Sequence, residues 1–239
     1  MPTNLVLTKK PKGVTVIEGF PGFGLVGTIA TGFLIDHLKC EQIGRGFFED
    51  PPATIAIHDC KLVDPVGIFY NKQHNLVIIH AITATSGIEW KAAELVLDVC
   101  NQLGAKELIT IEGVGSPAMA GEPRAFHYCT SKNNEKKMIA AKIEHLGEGI
   151  IVGVTSAVLL KAPKAYPISC VFSETHTNLP DSKAAAKVVQ VLDKYIGLKV
   201  DYKPLLKQAA EFEQKLKSII EQTGKAQELK DKKALAYVG

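Results

Sequence analysis

The sequence predicts an α/β fold in which helices cover both faces of a β-sheet. Short apolar runs alternate with amphipathic segments from residue 14 to residue 196, a pattern typical of layered α/β domains. The apolar runs are nearly continuous, which is typical of strands buried on both faces. The chain has 239 residues, 46% hydrophobic and 22% charged, a globular composition that suits one large domain with an appendage.

The first part of the chain is predicted to alternate strands with a single helix. The run 14–17 favours a strand that ends at Gly19, and segment 24–39 carries apolar residues at helical spacing. Three further apolar runs bounded by Gly, Pro and polar residues are predicted as strands, the last two forming a hairpin: 53–57, 66–70 and 76–79.

A long amphipathic helix is predicted over 88–103. Ser86, with Glu89 three residues later, fits a capping box, and Gly104 is placed to end the helix. The elements predicted beyond it are strands at 108–111, 150–154 and 168–172, a helix at 138–146, and a helix from Pro180–Asp181 to Tyr195 that Gly197 closes.

A change of composition after Gly197 predicts an α/β core domain over 1–197 and a C-terminal extension over 198–239. The extension is rich in Lys, Glu, Gln and Ala, and its apolar residues recur at alternating spacings of four and three, which predicts a heptad-patterned helix. The members of this seam are Leu205, Ala209, Phe212, Leu216, Ile219, Thr223 and Ala226. Such a stripe needs burial, either on its own domain or on a second copy, so we expect it to build or brace a homo-oligomer.

Charge, hydrophobicity and cysteine content argue against a nucleic-acid-binding protein, a membrane protein and a disulfide-bonded secreted protein. A net charge of +3 is too balanced for the strongly basic face of a nucleic-acid-binding protein. No apolar stretch is long enough for a membrane span, and the first residues lack the pattern of a signal peptide. Five irregularly spaced cysteines without a Cys-x-x-Cys pair indicate free thiols. We therefore expect a cytoplasmic protein that binds neither nucleic acid nor membranes.

The most conspicuous motif is Gly19-Phe-Pro-Gly22-Phe-Gly24-Leu-Val-Gly27, which follows a strand and opens a helix. Gly22, Gly24 and Gly27 match the G-x-G-x-x-G fingerprint of dinucleotide-binding proteins, whose backbone N–H groups attract anions. Pro21 removes one of those N–H groups, and Glu41 does not end its apolar segment as a ribose-binding acid would. The alternative is a tight packing turn, and we expect these four glycines to be structural.

The other candidate sites are weaker. The stretch 112–121 is rich in glycine and follows a buried strand, where α/β proteins place ligands, but it contains no nucleophile elbow. His58-Asp-Cys60 and His127-Tyr-Cys129 lack the spacing of zinc sites. Ser173-Glu-Thr-His176 fits a loop that caps the next helix. We expect no catalytic residue, no metal and no cofactor.

Three of these segments together resemble the proteasome assembly chaperone 2 family. They are the glycine motif 19–27, Glu112-Gly-Val-Gly-Ser-Pro, and Phe172-Ser-Glu174 leading to Pro180-Asp181 and an Ala-rich helix. The resemblance covers roughly residues 10–197, in matching order and separation, and the helical tail is similar to that of archaeal homologues. It implies a core like that of nucleoside phosphorylases without established enzymatic activity, homo-oligomers, and binding to proteasome α-subunits.

The same resemblance implies a role for the C-terminal tip, residues Leu235, Ala236, Tyr237, Val238 and Gly239. Some family members end in a hydrophobic residue, Tyr and any residue, and dock that tail between α-subunits. Here Tyr237 is third from the end, not second, and Ala236 before it is weakly hydrophobic.

The sequence therefore predicts a non-enzymatic proteasome assembly chaperone that binds α-subunits, with the tip as the candidate contact. The alternative is an enzyme that acts on a nucleotide or nucleoside through the loop 22–27. A phosphate clamp made of guanidinium groups is hard to build here, because Arg45 and Arg124 are the only arginines.

Overall fold

The structure is a computed structural model that describes residues 4–49, 55–58, 60–82, 86–115, 122–175, 179–207 and 218. The strands in this part of the chain are β1 (Asn4–Leu7), β2 (Thr15–Gly19), β3 (Glu41–Phe47), β4 (Ala56–His58), β5 (Lys61–Val63), β6 (Val66–Asn71), β7 (Leu76–Ala81), β8 (Glu107–Gly115), β9 (Ala125–Cys129), β10 (Glu144–His145) and β11 (Ile168–Thr175). The α-helices are α1 (Val26–His37), α2 (Glu89–Leu103), α3 (Lys132–Ala140), α4 (Val154–Lys161) and α5 (Ser182–Ile196).

A nine-stranded mixed sheet in the order β1-β3-β6-β7-β2-β8-β11-β9-β10 forms the centre of the fold. Its inner strands β7, β2, β8 and β11 run parallel to one another, so their carboxyl ends meet at one edge of the sheet. The pairs β6–β7, β3–β6, β1–β3 and β9–β11 are antiparallel. Strands β4 and β5 form a separate hairpin.

Helices flank this sheet, as the sequence predicts. Helices α1 and α5 pack against each other over a core that includes Ile17, Ile109 and Val171, whereas α2 and α4 pack together over a core that includes Val16 and Leu108. Neighbouring residues of one strand thus enter opposite cores, because side chains alternate across a sheet. Both faces of the inner strands are buried, which explains their continuous apolar runs.

The helix ends that carry strong local signals are where the sequence places them. Asp181 caps α5 by accepting a hydrogen bond from the Ala184 N–H at 3.0 Å. Gly104 and Gly197 end their helices in the left-handed conformation that favours glycine. The predicted hairpin of β6 and β7 is confirmed.

Three local predictions are wrong. Segment 150–154 is not a strand: Ile150 is 92% exposed and α4 begins at Val154, because a short apolar run does not distinguish strand from helix. The helix predicted at 138–146 is α3, which begins at Lys132 and ends at Ala140; its early turns are too polar to show an apolar stripe. The residue before α2 is Ile88 rather than Ser86, and no side chain caps this helix.

The start of the predicted extension packs on the α/β domain. Leu198, Val200 and Leu205 are buried in the core beneath α1 and α5. The division of the chain at residue 197 stays a prediction. None of the helices in the described part of the chain is long and apolar enough to cross a membrane.

Candidate functional site

The glycine motif lies at the carboxyl end of β2, a central strand of the sheet. It passes through a short 3-10 turn at Phe23–Leu25 into α1. Gly24 has φ 66°, and Leu25 has φ 52°, a left-handed conformation that costs a branched residue of this size free energy. Backbone strain of this kind persists only where the surrounding packing enforces it, and it is concentrated at functional sites.

Three of the glycines stand where another chain segment approaches too closely for a side chain. A Cβ at Gly19 would lie 2.3 Å from the carbonyl oxygen of Gly27, so β2 and α1 touch through their backbones. A Cβ at Gly22 would lie 2.0 Å from Oε1 of Glu112. At Gly24 a Cβ would lie 2.7 Å from Oγ1 of Thr175. The loop is therefore enclosed by β8 and β11 as well as by α1.

Glu112, on β8, occupies the inner side of this loop. It is 8% exposed, and its carboxyl group accepts hydrogen bonds from the backbone N–H groups of Phe23 and Gly113. Burial raises the pKa of Glu112 to about 8, in spite of these bonds and of the hydroxyl of Thr155, which favour the ionised form. A carboxyl group of the protein itself thus takes the backbone N–H that a bound phosphate would use in a dinucleotide loop.

Glu18 lies beside Glu112 on the neighbouring strand. It is 1% exposed, and burial together with the negative charge of Glu112 raises its pKa well above the ordinary value. Oγ1 of Thr155, in the first turn of α4, lies 3.4 Å from Oε1 of Glu18 and 3.4 Å from Oε2 of Glu112. The arrangement can hold a proton near neutral pH, because two adjacent buried carboxyl groups resist ionising together.

The next strand end is also closed by a carboxylate of the chain. Asp181 accepts hydrogen bonds from Thr175 Oγ1 at 2.8 Å and from the N–H of Ala184 at the start of α5. The N–H of Asp181 in turn donates to the carbonyl oxygen of Gly24 at 2.9 Å. The glycine loop and the N-terminus of α5 are therefore fixed to each other by internal bonds.

The remaining sequence candidates are dispersed. Cys60 is exposed in the turn between β4 and β5, and His127 is buried with its ring centroid 4.3 Å from that of His145. Glu174 pairs with Arg124, Nε to Oε1 at 3.3 Å. Among the residues that the structure describes, no three His, Cys, Asp or Glu side chains are grouped as metal ligands. Residues 116–121 and His176 lie outside the described residues.

Most of the predicted interaction residues also lie outside the described part. These are the seam residues Ala209, Phe212, Leu216 and Ile219, the further seam positions Thr223 and Ala226, and the whole tip 235–239. Leu205 is the seam residue that is described, and it is 3% exposed in the core of its own domain.

The sequence matches the model of the PAC2 family over residues 16–220, most of the chain. The chain belongs to the PAC2 family. This confirms the family that the three motifs indicate. A protein of Methanocaldococcus jannaschii that carries no assigned function is 27% identical, over 98% of each chain.

Solved structures of similar sequence come from Pyrococcus furiosus. PbaA, described as an archaeal homologue of proteasome-assembly chaperone, has a TM-score of 0.83 at 29% identity, covering 94% of this chain and 99% of that one. PbaB, described as an archaeal proteasome activator, has a TM-score of 0.74 at 25% identity, covering 91% of this chain and 98% of that one. A protein from Thermoplasma acidophilum shares the fold with a TM-score of 0.82 at 20% identity.

Of the three side chains of the buried polar cluster, the sequence motifs contained Glu112 alone. Glu18 directly follows the run 14–17, and Glu112 directly follows the run 108–111. An acid at the end of a fully apolar strand is the signal that could have found both. Thr155 gave no such signal, because its segment was predicted to follow a strand rather than to begin a helix.

Proposed function

We propose that the protein is a non-enzymatic, cytoplasmic member of the proteasome-assembly chaperone group that binds proteasome α-subunits. The observation that carries this proposal is the similarity to PbaA over nearly the full length of both chains. The similarity to PbaB, a proteasome activator, points to the same class of partner. The core resemblance to nucleoside phosphorylases stays a prediction, and fold alone does not transfer their activity.

The contacts of the glycine loop favour this proposal over a nucleotide- or nucleoside-acting enzyme. Glu112 takes the N–H of Phe23, and Asp181 takes the N–H of Ala184, so carboxyl groups occupy both backbone positions suited to phosphate. We therefore assign Gly19, Gly22, Gly24 and Gly27 a packing role and expect no cofactor. Calorimetric titration with NAD, ATP and nucleosides should give no saturable heat; micromolar binding that is lost in Gly24→Ala would favour the enzyme.

The oligomer is proposed to form through the seam beyond Leu205. Since Leu205 itself is buried in its own domain, the assembly contact would be carried by the later positions. Replacing Phe212 and Leu216 with Asp would place charges in an apolar contact. Light scattering should then show smaller particles with an unchanged far-UV circular dichroism spectrum, and an unchanged mass would remove the seam from assembly.

The tip 235–239 is the proposed contact with α-subunits. Tyr offers a large contact area and few rotatable bonds, and several tails on one oligomer would gain avidity. Binding to separated α-subunits should weaken in Tyr237→Ala by roughly 1–3 kcal/mol per engaged tail, as for an aromatic hot spot. Tyr237→Phe is the matched control for loss of the hydroxyl alone.

Deleting Gly239 sharpens this test, because it makes Tyr237 the penultimate residue. If the tail docks in the manner that the family resemblance implies, this deletion should strengthen binding. Binding that survives deletion of 235–239 unchanged would instead place the partner surface on the α/β domain.

A further inference from the structure

Glu18 and Glu112 form a buried carboxyl pair at the edge of the sheet where the parallel strands end. Strands β2 and β8 are parallel neighbours with Glu18 opposite Thr110, so Glu112, two residues further along, lies on the same face. Neither carboxyl forms an ion pair with a basic side chain of the residues that the structure describes. The charge of an ionised pair would therefore be uncompensated.

The hydrogen-bond donors around the pair connect three parts of the fold. Backbone N–H groups of Phe20 and Phe23 in the glycine loop donate to Glu18 and Glu112 respectively. Thr155 lies 3.4 Å from both carboxyl groups, but its single hydroxyl proton can be donated to only one of them at a time. A proton on the pair supplies the missing donor and lets α4, the glycine loop and β8 stay together.

The other titratable groups that face the pair remain neutral over the physiological range. Burial raises the pKa of Cys100 on α2 and that of Cys170 on β11 to about 12 each, and both thiols interact with Glu18. Burial also raises the pKa of Tyr166, whose side chain is hydrogen-bonded to that of Cys100. The pair is thus the group in this cluster that changes charge near neutral pH.

We propose that Glu18, Glu112 and Thr155 form a proton-dependent latch that holds the first turn of α4 against the glycine loop and opens when the pair loses its proton. The N-terminus of α4 favours a negative charge beside it, but ionised Glu112 faces no basic side chain of the described residues and burial opposes its charge. The short helix is the element that moves. Glu112 is then free to reach water, where it ionises with an ordinary pKa.

The latch predicts a specific pH dependence of opening. The closed state holds a proton that the open state releases above the ordinary pKa of 4.5, and the closed state itself releases it at about 8. The equilibrium constant for opening should therefore rise by up to about tenfold per pH unit between these two values and level off above the higher one. Low pH closes the latch and high pH opens it.

Hydrogen exchange of the full-length protein tests the latch. Opening constants of amides 157–161, which are the α4 amides with intrahelical acceptors, are obtained by dividing exchange rates by intrinsic rates and should follow the predicted rise from pH 5 to pH 8. Helix α5 (182–196), on the other face of the sheet, is the internal control: its amides report global unfolding, so their opening constants should stay at least tenfold below those of α4 at every pH. The fluorescence of Trp90, the single tryptophan, followed against pH, gives a second readout. It should change when α4 moves, since Nζ of Lys161 at the end of α4 lies 5.8 Å from the ring centroid of Trp90.

Each outcome decides the proposal. A rise in α4, at opening constants well above those of α5, that disappears in the Glu18→Gln/Glu112→Gln double variant supports the latch. A flat profile in α4 overturns it, and so do equal opening constants in α4 and α5 at each pH, because α4 would then open only with the whole fold; neither outcome needs a variant. A rise that survives the double variant also overturns the latch. Glu94→Gln, which removes the partner of Lys161 but not the latch, should leave the midpoint of the fluorescence change unmoved.

Discussion

Glu107 and Glu112 stand on the same strand, β8, and are each 8% exposed, yet their carboxyl groups have opposite surroundings. Oε1 of Glu107, at the amino end, accepts hydrogen bonds from Ser169 at 2.5 Å, Tyr195 at 2.6 Å and Asn134 at 2.9 Å. Glu112, at the carboxyl end, also accepts from two backbone N–H groups, but it shares its one hydroxyl donor with a second buried acid. The comparison shows that burial alone does not decide the role of a carboxyl group; a second buried acid beside it does.

The difference between the two ends follows the architecture. The amino end joins α3, α5 and β11 through a carboxyl group that accepts three hydrogen bonds, which suits a purely structural link. The carboxyl end, where α/β proteins place ligands, keeps a left-handed Leu25 and two adjacent buried acids. Local violations of folding rules tend to mark sites retained for function.

The largest expected effect is at the amino end. Glu107→Ala leaves three donors, two of them buried, without their acceptor, so it should lower the free energy of unfolding by about 3–5 kcal/mol. Denaturant unfolding at pH 7 measures the change. Glu107→Gln is the matched control and should cost less, because its amide oxygen can still accept. A loss below about 1 kcal/mol in Glu107→Ala would mean that water replaces the carboxylate and that the two ends do not differ in kind.

At the carboxyl end, removing the charge of the buried acid is expected to raise the free energy of unfolding rather than to lower it. The pKa of Glu112 is raised from 4.5 to about 8, so its proton is retained in the folded state while the unfolded state releases it. Stability from this group is fully present below pH 4.5, falls as pH rises, and levels off above about pH 8.

Glu112→Gln removes this penalty while preserving shape. It should raise the free energy of unfolding at pH 7.5 by about 2–4 kcal/mol, at up to 1.4 kcal/mol per pH unit, and leave it nearly unchanged at pH 4.5. Unfolding curves at the two pH values measure the difference. A variant that is less stable than the wild type at pH 7.5 would show that the carboxylate is needed as a charge and would abolish the contrast with Glu107.

Local chemistry explains which parts of the fold were predictable. Asp181 and Gly197 mark the two ends of α5 because capping depends on the residue types at those positions. The strands of the parallel centre were predictable because burial on both faces leaves continuous apolar runs. The strand β9 was not, because its five residues include His127 and form no continuous apolar run.

The sequence marks Glu18 and Glu112 as acids at strand ends, but it could not predict that they meet Thr155. Thr155 is 137 residues from Glu18 and 43 residues from Glu112 along the chain, and only the packing of α4 brings it to the two acids. The glycine spacing predicted a turn near β2, but it gave no information about which side chain would fill it. The same spacing fits a phosphate cradle and a cradle closed by Glu112, so sequence left both open.

The smallest effect is expected from removing one of the three hydrogen-bond donors to Glu107 at the amino end of β8. Tyr195→Phe removes the hydroxyl that donates to Glu107 at 2.6 Å while keeping the ring in place. Burial, followed by the bond to Glu107, raises the pKa of Tyr195, so the hydroxyl stays a donor at neutral and mildly alkaline pH. Because Ser169 and Asn134 still donate to the same oxygen, we expect the free energy of unfolding to fall by about 1–2 kcal/mol, less than for Glu107→Ala.

The loss in Tyr195→Phe should be the same at pH 6 and pH 9, in contrast to the pH-dependent effect of Glu112→Gln. Thermal unfolding at both pH values measures it, with Tyr128→Phe at a half-exposed position as the matched control. A loss that changes with pH would show that the two ends of β8 are electrostatically coupled, and the amino end would then no longer serve as the passive reference for the latch.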